Sequence, residues 1–406
     1  MRTIRLRVRM REVTPEVVRV IDVPAACTLG ELHELLQAAI GWTDSHLHEF
    51  RTDDGRRFGV PDGEDAFDDL APPLTDETTV GLRDLAATFT YLYDFGDDWT
   101  HDVEVLGAGA DRPGCVYGEG MCPPEDVGGP EGYAELLAVL ANPDDDEHEH
   151  MRAWAGELND FDQASTDELI RRTVGRVPPS VALVLELAAG GVKLTPAGRL
   201  PRAFVRAVQT HRPDWAFYPD RPAMREDDLL PLLALHDLLR AVGLLRLRHG
   251  VLSPTRAATD ELQTIRRLRA YFTPEGFGVI VAGVALAALA HHGPQPVTAL
   301  AERAHPWVSP GWGHRDGTPA THRDVELELH RLSTTLRGLD LITTDRAERR
   351  WHAGPCATSL LHRAVGLAHL WSRPRYDPEP DPAEVAAPPT VVIDELSAPA
   401  LRFPTK

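Results

Sequence analysis

The chain has almost no lysine. Only Lys193 and Lys406 occur among its 406 residues, so Arg supplies nearly all the positive charge. A replacement this uniform reflects coding bias and carries little functional information. Cysteine is scarce too: four in a chain of this length make no disulfide framework, which points to a reducing cytosol and a cytoplasmic protein. Long apolar runs are missing. The longest, Phe277 to Ala290, is too short and too rich in Gly and Ala to span a bilayer, so no membrane association is expected. The N-terminus MRTIRLRVRM alternates Arg with aliphatic residues and lacks the apolar stretch of a signal peptide. Also lacking are a Ser-His-Asp arrangement, a P-loop and a dinucleotide-binding fingerprint.

What the chain does have is acid, unevenly spread over a length that suits two or three domains. Residues 1–175 hold 14 Arg and no Lys against 38 Asp and Glu. Residues 176–376 hold 26 Lys and Arg against 18 acids, and residues 377–406 hold 2 against 6. The first part repels phosphate backbones, whereas the middle tolerates them.

The opening reads strand, strand, helix. Ile4, Leu6, Val8 and Met10 alternate with Arg, Val17 to Val23 gives a second strand, and Pro15 lies in the turn. Thr28 to Glu31 has capping-box spacing ahead of a helical stripe of Leu29, Leu32, Leu36 and Ile40, and Gly41 ends it. This predicts an α+β domain with a β-grasp-like opening and a mixed sheet. Trp42 to Arg51, read as a strand, puts His46, His48 and Phe50 on one face, and residues 61–78 read as an exposed acidic, Pro-rich loop. Next, Phe89, Tyr91, Tyr93 and Phe95 alternate, Gly96-Asp97-Asp98 turns, and Trp99, His101, Val103 and Val105 alternate again, predicting a hairpin with His101 on its apolar face. Cys115 and Cys122 follow in a predicted loop with Glu119, Glu125 and Asp126; their spacing is not that of a zinc knuckle. Gly128-Gly129-Pro130 opens a helix whose buried stripe includes Tyr133, Leu136, Leu137 and Leu140, with Asp126 as an internal cap. DDDEHEH at 144–150 reads as a solvated loop, then come a short helix from Met151 to Leu158, a last helix ending at Gly175, and a linker at Val177-Pro178-Pro179.

The strings Y-x-YDFGDDW-x-H and C-x6-CPPEDVGGP-x-GY, with GW-x3-HLHEF upstream, resemble the plasmid pRiA ORF-three-like family, also described as transposon-passenger TnpR-type domains. The resemblance covers residues 1–175. It implies a compact α+β domain tied to plasmids and mobile elements, with no established reaction. The signature positions it carries over are Tyr93, Asp94, Phe95, Gly96, Asp97, Trp99, His101, Cys122, Pro123, Pro124, Glu125, Asp126, Gly128, Gly129 and Tyr133.

Residues 180–372 read as mostly helical, with a recurring pattern of helix, Gly-Leu, short strand, turn and short strand. It occurs after the helices Leu183 to Gly191, Leu229 to Val242 and Glu326 to Leu336. The pattern resembles the recognition helix and wing of winged-helix domains. Thr195-Pro196 and Ser253-Pro254 read as helix starts, and a further helix is expected at Ala357. Arg240, Arg246, Arg248, Arg331 and Arg337 would lie on or near the recognition helices and wings, placed to meet phosphates. Phe277 to Ala290 reads as a buried central helix. Residues 373–406 form a Pro- and acid-rich tail in which Val391 to Asp394 adds a strand.

Two functions stay open. One is a non-enzymatic accessory or regulatory protein, its acidic domain binding a partner or ligand and its basic half binding DNA or protein, with no cofactor. The other is a metal-dependent hydrolase or nuclease drawing on His46, His48, His101, Cys115, Cys122, Glu125 and Asp126 for a divalent ion.

Overall fold

A computed structural model describes residues 1–61, 73–156, 158, 160–272, 276–345, 347–361, 364, 366–367 and 391–393. Most of the expected acidic loop at 61–78, Asn159 and nearly all of the tail from 373 onward lie outside the described residues. The chain divides into two compact units, Met1–Val174 and Gly175–Ser372.

The first unit is a mixed eight-stranded sheet with helices. Strands β1 (Thr3–Met10) and β2 (Val18–Pro24) form a hairpin in which Leu6 faces Ile21. Helix α1 (Leu29–Ile40) begins where Thr28 and Glu31 complete a capping box, and it stops at Gly41, whose φ of 113° suits glycine. Strands β3 (His48–Arg51), β4 (Arg57–Gly59), β5 (Leu74–Asp76), β6 (Thr88–Tyr93), β7 (Trp99–Ala108) and β8 (Gly114–Glu119) follow. Helices α2 (Gly129–Ala141), α3 (His148–Ala155) and α4 (Gln163–Val174) close the unit. The sheet order is β5-β4-β3-β6-β7-β1-β2-β8; β4 and β5 run parallel and the other neighbours antiparallel. Leu29, Leu32, Leu35 and Leu36 of α1 are buried in one core with Leu6, Val8, Ile21, Val23 and Val103 of the sheet. Each such leucine contributes roughly 1.5–3 kcal/mol.

Three local expectations change. Cys115 lies on β8, not in a loop, because Ile21 of β2 pairs with it; a strand recruited by an edge partner need not alternate. Only His48 to Arg51 of the expected Trp42–Arg51 strand is extended in the sheet, since Gly41 and Asp44 take positive φ and turn the intervening residues into a loop. Helix α3 starts at His148, inside the acidic run expected to be a loop.

The second unit repeats one order of elements. Helix α5 (Pro179–Ala188), strand β9 (Val192–Lys193), helices α6 (Arg202–His211) and α7 (Leu230–Ala241), and hairpin β10 (Leu245–Arg248) to β11 (Val251–Pro254) come first. After α8 (Glu261–Ala270), the same order returns as α9 (Phe277–His292), β12 (Gln295–Pro296), α10 (Val297–Val308), β13 (Trp312–Gly313), α11 (His322–Gly338), β14 (Ile342–Asp345) and β15 (Arg350–Ala353). The two small sheets run β10-β11-β9 and β12-β15-β14, so in each the short early strand pairs with the last. Strand β13 is the one addition; it pairs in parallel with β16 (Val391–Val392). Helix α9 is apolar all round and Val281 to Leu289 are all buried, as its sequence requires.

Neither expected Pro-marked helix start survives. Thr195 and Gly198 close a turn by the Gly198 N–H bond to the Thr195 carbonyl, and α6 begins only after Pro201. Ser253 and Pro254 are the end of β11, and α8 is capped instead by Asp260, whose side chain accepts from Gln263 N. The linker proline Pro179 is already the first residue of α5, and the segment expected to start a helix at Ala357 forms turns.

Candidate functional site

Two aromatic side chains tie the signature hairpin to the loop after β8. Trp42, buried, stacks on Tyr93 with ring centroids 4.8 Å apart and packs against Trp99 at 5.6 Å and His101 at 5.5 Å. Its indole N–H donates to the Pro123 carbonyl at 3.0 Å. Tyr93 donates its hydroxyl to Glu125 Oε1 at 2.6 Å and accepts from the Ser45 and His46 backbone N–H groups at 2.9 and 3.3 Å. Burial, then the bond to Glu125, push the Tyr93 phenol far above its ordinary range, so it stays a donor. Glu125 Oε2 accepts from Thr43 Oγ1 at 2.6 Å and Thr43 N at 3.3 Å. Tyr93 and Glu125 therefore hold the loop 42–46 from both sides.

That loop presents Asp44 and His46, and His48 follows at the start of β3. Asp44 adopts a φ of 59°, which lets its backbone and side chain join one closed ring of contacts. Asp44 N donates to Gln37 Oε1 at 2.9 Å, Gln37 Nε2 donates to Tyr91 Oη at 2.9 Å, Tyr91 Oη meets His33 Nδ1 at 2.8 Å, and His33 Nε2 meets Asp44 Oδ1 at 2.8 Å. His33 stacks face to face on His48 with centroids 3.4 Å apart and planes 4° from parallel. His48 Nε2 in turn meets the buried Glu77 at 2.8 Å. The donor atoms of His33, Asp44 and His48 lie within 4.8 Å of one another. They line a pocket of about 590 Å³ with Thr28, Glu31, Glu34, Ser45, His46, Val60 and Glu77. Its lining holds four carboxylates and no Lys or Arg.

A second convergence lies beside the first on the loop. His46 Nδ1 is 3.5 Å from Asp94 Oδ2, and His46 Nε2 is 3.3 Å from Asp126 Oδ1, a contact without hydrogen-bond alignment. The donor atoms of these three side chains also fall within 4.8 Å. Asp94 keeps its other oxygen for the hairpin turn, accepting from Gly96 N at 2.9 Å and Asp97 N at 3.3 Å.

The remaining residues singled out in the sequence are placed as follows. His101 is buried, its Nδ1 3.1 Å from the Tyr91 carbonyl, and burial lowers its pKa to about 4. Cys115 is buried on β8, its thiol pushed up to about 11 by burial, and Cys122 turns to the Pro123 carbonyl beside Gly41. Neither cysteine nor His101 belongs to either convergence. Asp126 does not cap α2: Gly128 is the N-cap, with no side-chain cap bond, its own N–H donates to Asp97 Oδ2 at 3.0 Å, and Asp126 faces His46. Tyr133 is buried one turn into α2. In the second unit Arg240, Arg246 and Arg248 are exposed, Arg331 sits 3.2 Å from Glu328, and Arg337 donates to the Asp214 carbonyl at 2.7 Å. Sequence reading passed over His33, Asp44 and Glu77. The signal was Gln37 one turn beyond His33 on α1, two polar residues beside a leucine stripe.

These contacts define a pocket-bearing α+β domain whose signature residues brace the loop that lines the pocket. The chain belongs to the plasmid pRiA4b ORF-3-like protein family, which it matches over residues 2–169. It is 41% identical over 172 residues to the uncharacterized protein y4hQ of Sinorhizobium fredii, covering 40% of this chain and 86% of that protein. A protein of unknown function, MM3350 from Methanosarcina mazei Go1, has a crystal structure similar over 40% of this chain and 96% of its own, at 30% identity and a TM-score of 0.36. Residues 179–267, where the sequence suggested winged-helix modules, match the Y4jL N-terminal domain. The uncharacterized protein y4jL of Sinorhizobium fredii is 30% identical over 156 residues, 37% of this chain and 63% of that protein. Among the described residues, no helix is long and apolar enough to cross a membrane.

Proposed function

We propose that this chain is a non-enzymatic accessory protein. Its N-terminal domain takes a cationic ligand in the acidic pocket, and its C-terminal half, a pair of winged-helix-like units, docks a protein partner. The observation that carries the reading is the repeated helix, strand, helix, helix and hairpin order, with the same strand order in both small sheets. Docking to protein is favoured over DNA by the surface of the first repeat. Helix α7, in the recognition position, exposes only Leu230, Asp237, Arg240 and Ala241. The segment before it exposes Phe217, Tyr218 and Met224, and the hairpin after it exposes Leu247 and Val251. Apolar side chains at such density suit a protein partner, and Arg337, already bonded to Asp214, is poorly placed to reach phosphate. An electrophoretic shift assay with random duplex DNA at low and moderate salt tests this choice. No shift is expected. A salt-sensitive shift lost on Arg246→Ala with Arg248→Ala would transfer the C-terminal half to DNA binding.

A further inference from the structure

We infer that the pocket floor formed by His33, Asp44, His48 and Glu77 is a binding site for one divalent transition-metal ion. The inference rests on the reading of the pocket as the ligand site of the N-terminal domain and names the ligand.

The donor types choose the class. Two imidazoles and two carboxylates are a borderline set that suits Zn²⁺, Mn²⁺ or Fe²⁺; no thiol is present to select a soft ion, and the nitrogen donors count against Ca²⁺ or Mg²⁺. The lining charge agrees: Glu31, Glu34, Asp44 and Glu77 line the space and no Lys or Arg does, so the pocket attracts cations and repels phosphates. The surroundings are those of a supported ligand set. His33 is fixed at Nδ1 by the Tyr91 hydroxyl, which Gln37 orients in turn. A hydroxyl can give or take the hydrogen bond, so either tautomer of His33 is accommodated. Asp44 is fixed through its own backbone N–H to Gln37. Glu77 is buried and held against His48.

The stacked rings say how the ion enters. The lone pairs of imidazoles stacked in parallel planes 3.4 Å apart do not converge on one point, so one ion takes both nitrogens only if a ring tilts. Among the described residues His33 is held at both nitrogens and His48 at Nε2. His48 is the ring that moves, exchanging its contact with Glu77 for the ion while Glu77 follows as a carboxylate ligand; His33 gives up its Nε2 contact with Asp44 in the same way, its ring proton staying on Nδ1 toward the Tyr91 hydroxyl.

The test uses the full chain, stripped with a chelator and titrated calorimetrically with Zn²⁺ and Mn²⁺, alongside the visible spectrum of added Co²⁺. One equivalent should bind, and the Co²⁺ bands should show nitrogen coordination. His48→Ala and Glu77→Gln should each weaken binding by roughly tenfold or more, and Tyr91→Phe by roughly tenfold through the lost orientation of His33. Asp126→Asn, at a residue of the second convergence that does not line the pocket, separates this site from its neighbour and should leave the affinity within twofold. Circular dichroism of each variant shows that it is folded. No binding by the folded wild type, or binding lost in Asp126→Asn and kept in His48→Ala, overturns the inference. A thermal-shift arm with spermidine distinguishes the two levels. Stabilisation by spermidine without any by metals would keep the cationic pocket and sink the metal site, whereas a response to neither would sink both.

Discussion

His101 and Gly129 show what single signature residues contribute. His101 was expected on the apolar face of the hairpin, and there it is buried against Trp42 with one nitrogen on the Tyr91 carbonyl. Burial lowers its pKa from 6.5 to about 4. The unfolded chain takes this proton below about pH 6.5 and the folded domain only near about pH 4. Its contribution is therefore complete above 6.5 and drains away as pH falls, at roughly 1.4 kcal/mol per unit. Urea midpoints at pH 7 and pH 5 should fall less in His101→Phe than in wild type; equal slopes would mean that His101 is not buried unprotonated. Gly129 sits at a φ of 70°, and a Cβ there would come 2.4 Å from the Asp97 carbonyl oxygen. Gly129→Ala should cost roughly 1–3 kcal/mol in the same assay, because it forces apart the hairpin turn and the start of α2. An unchanged midpoint would show that the turn is free to shift.

At the scale of elements, two braces do what sequence periodicity does not reveal. Arg19, inside β2, is almost fully buried without a carboxylate. It donates to the carbonyls of Ala39, Val18, Glu119 and Gly120 at 2.9, 2.9, 2.6 and 3.1 Å, and its guanidinium lies 4.3 Å from the Phe161 ring centroid. It clamps the end of α1 to β2 and β8. Lysine cannot reproduce a planar fork, so Arg19→Lys should leave buried carbonyls unpaired and lower stability by roughly 1–3 kcal/mol; a neutral effect in thermal denaturation would show that the clamp contributes nothing. Tyr93 and Glu125 make the other brace, holding loop 42–46. Tyr93→Phe should raise hydrogen exchange at Ser45 and His46, whose N–H groups lose their acceptor, while leaving β6 and β7 protected. Unchanged exchange at those two amides would mean that the loop is fixed by other contacts. The capping box at Thr28, the glycine at Gly41 and the alternating hairpin were legible because each is set by residues within one turn or one strand pair. The Pro-marked helix starts at Thr195 and Ser253 were misread because the same residues also close turns and end strands, and tertiary pairing chose between those uses.

For the whole molecule, the division at Val174 and Gly175 falls close to the change in charge along the chain. Limited proteolysis should yield a fragment ending near there, and residues 1–174 expressed alone should unfold in one cooperative transition; a molten fragment with no such transition would show that the N-terminal unit depends on the rest of the chain. The composition, the strand and helix periods and the signature strings determined by themselves that an acidic α+β domain precedes a more basic, helical one. Family membership follows from the same strings. Only the tertiary structure decided what the signature residues surround. His33 on a helix, Asp44 in a loop, His48 on a strand and Glu77 beyond an acidic stretch share no local spacing. They meet because α1 packs its leucines onto the sheet and the pair of buried Tyr93 and half-buried Glu125 bends one loop back over that helix. Such convergence depends on packing between distant elements, which no local pattern of residues encodes.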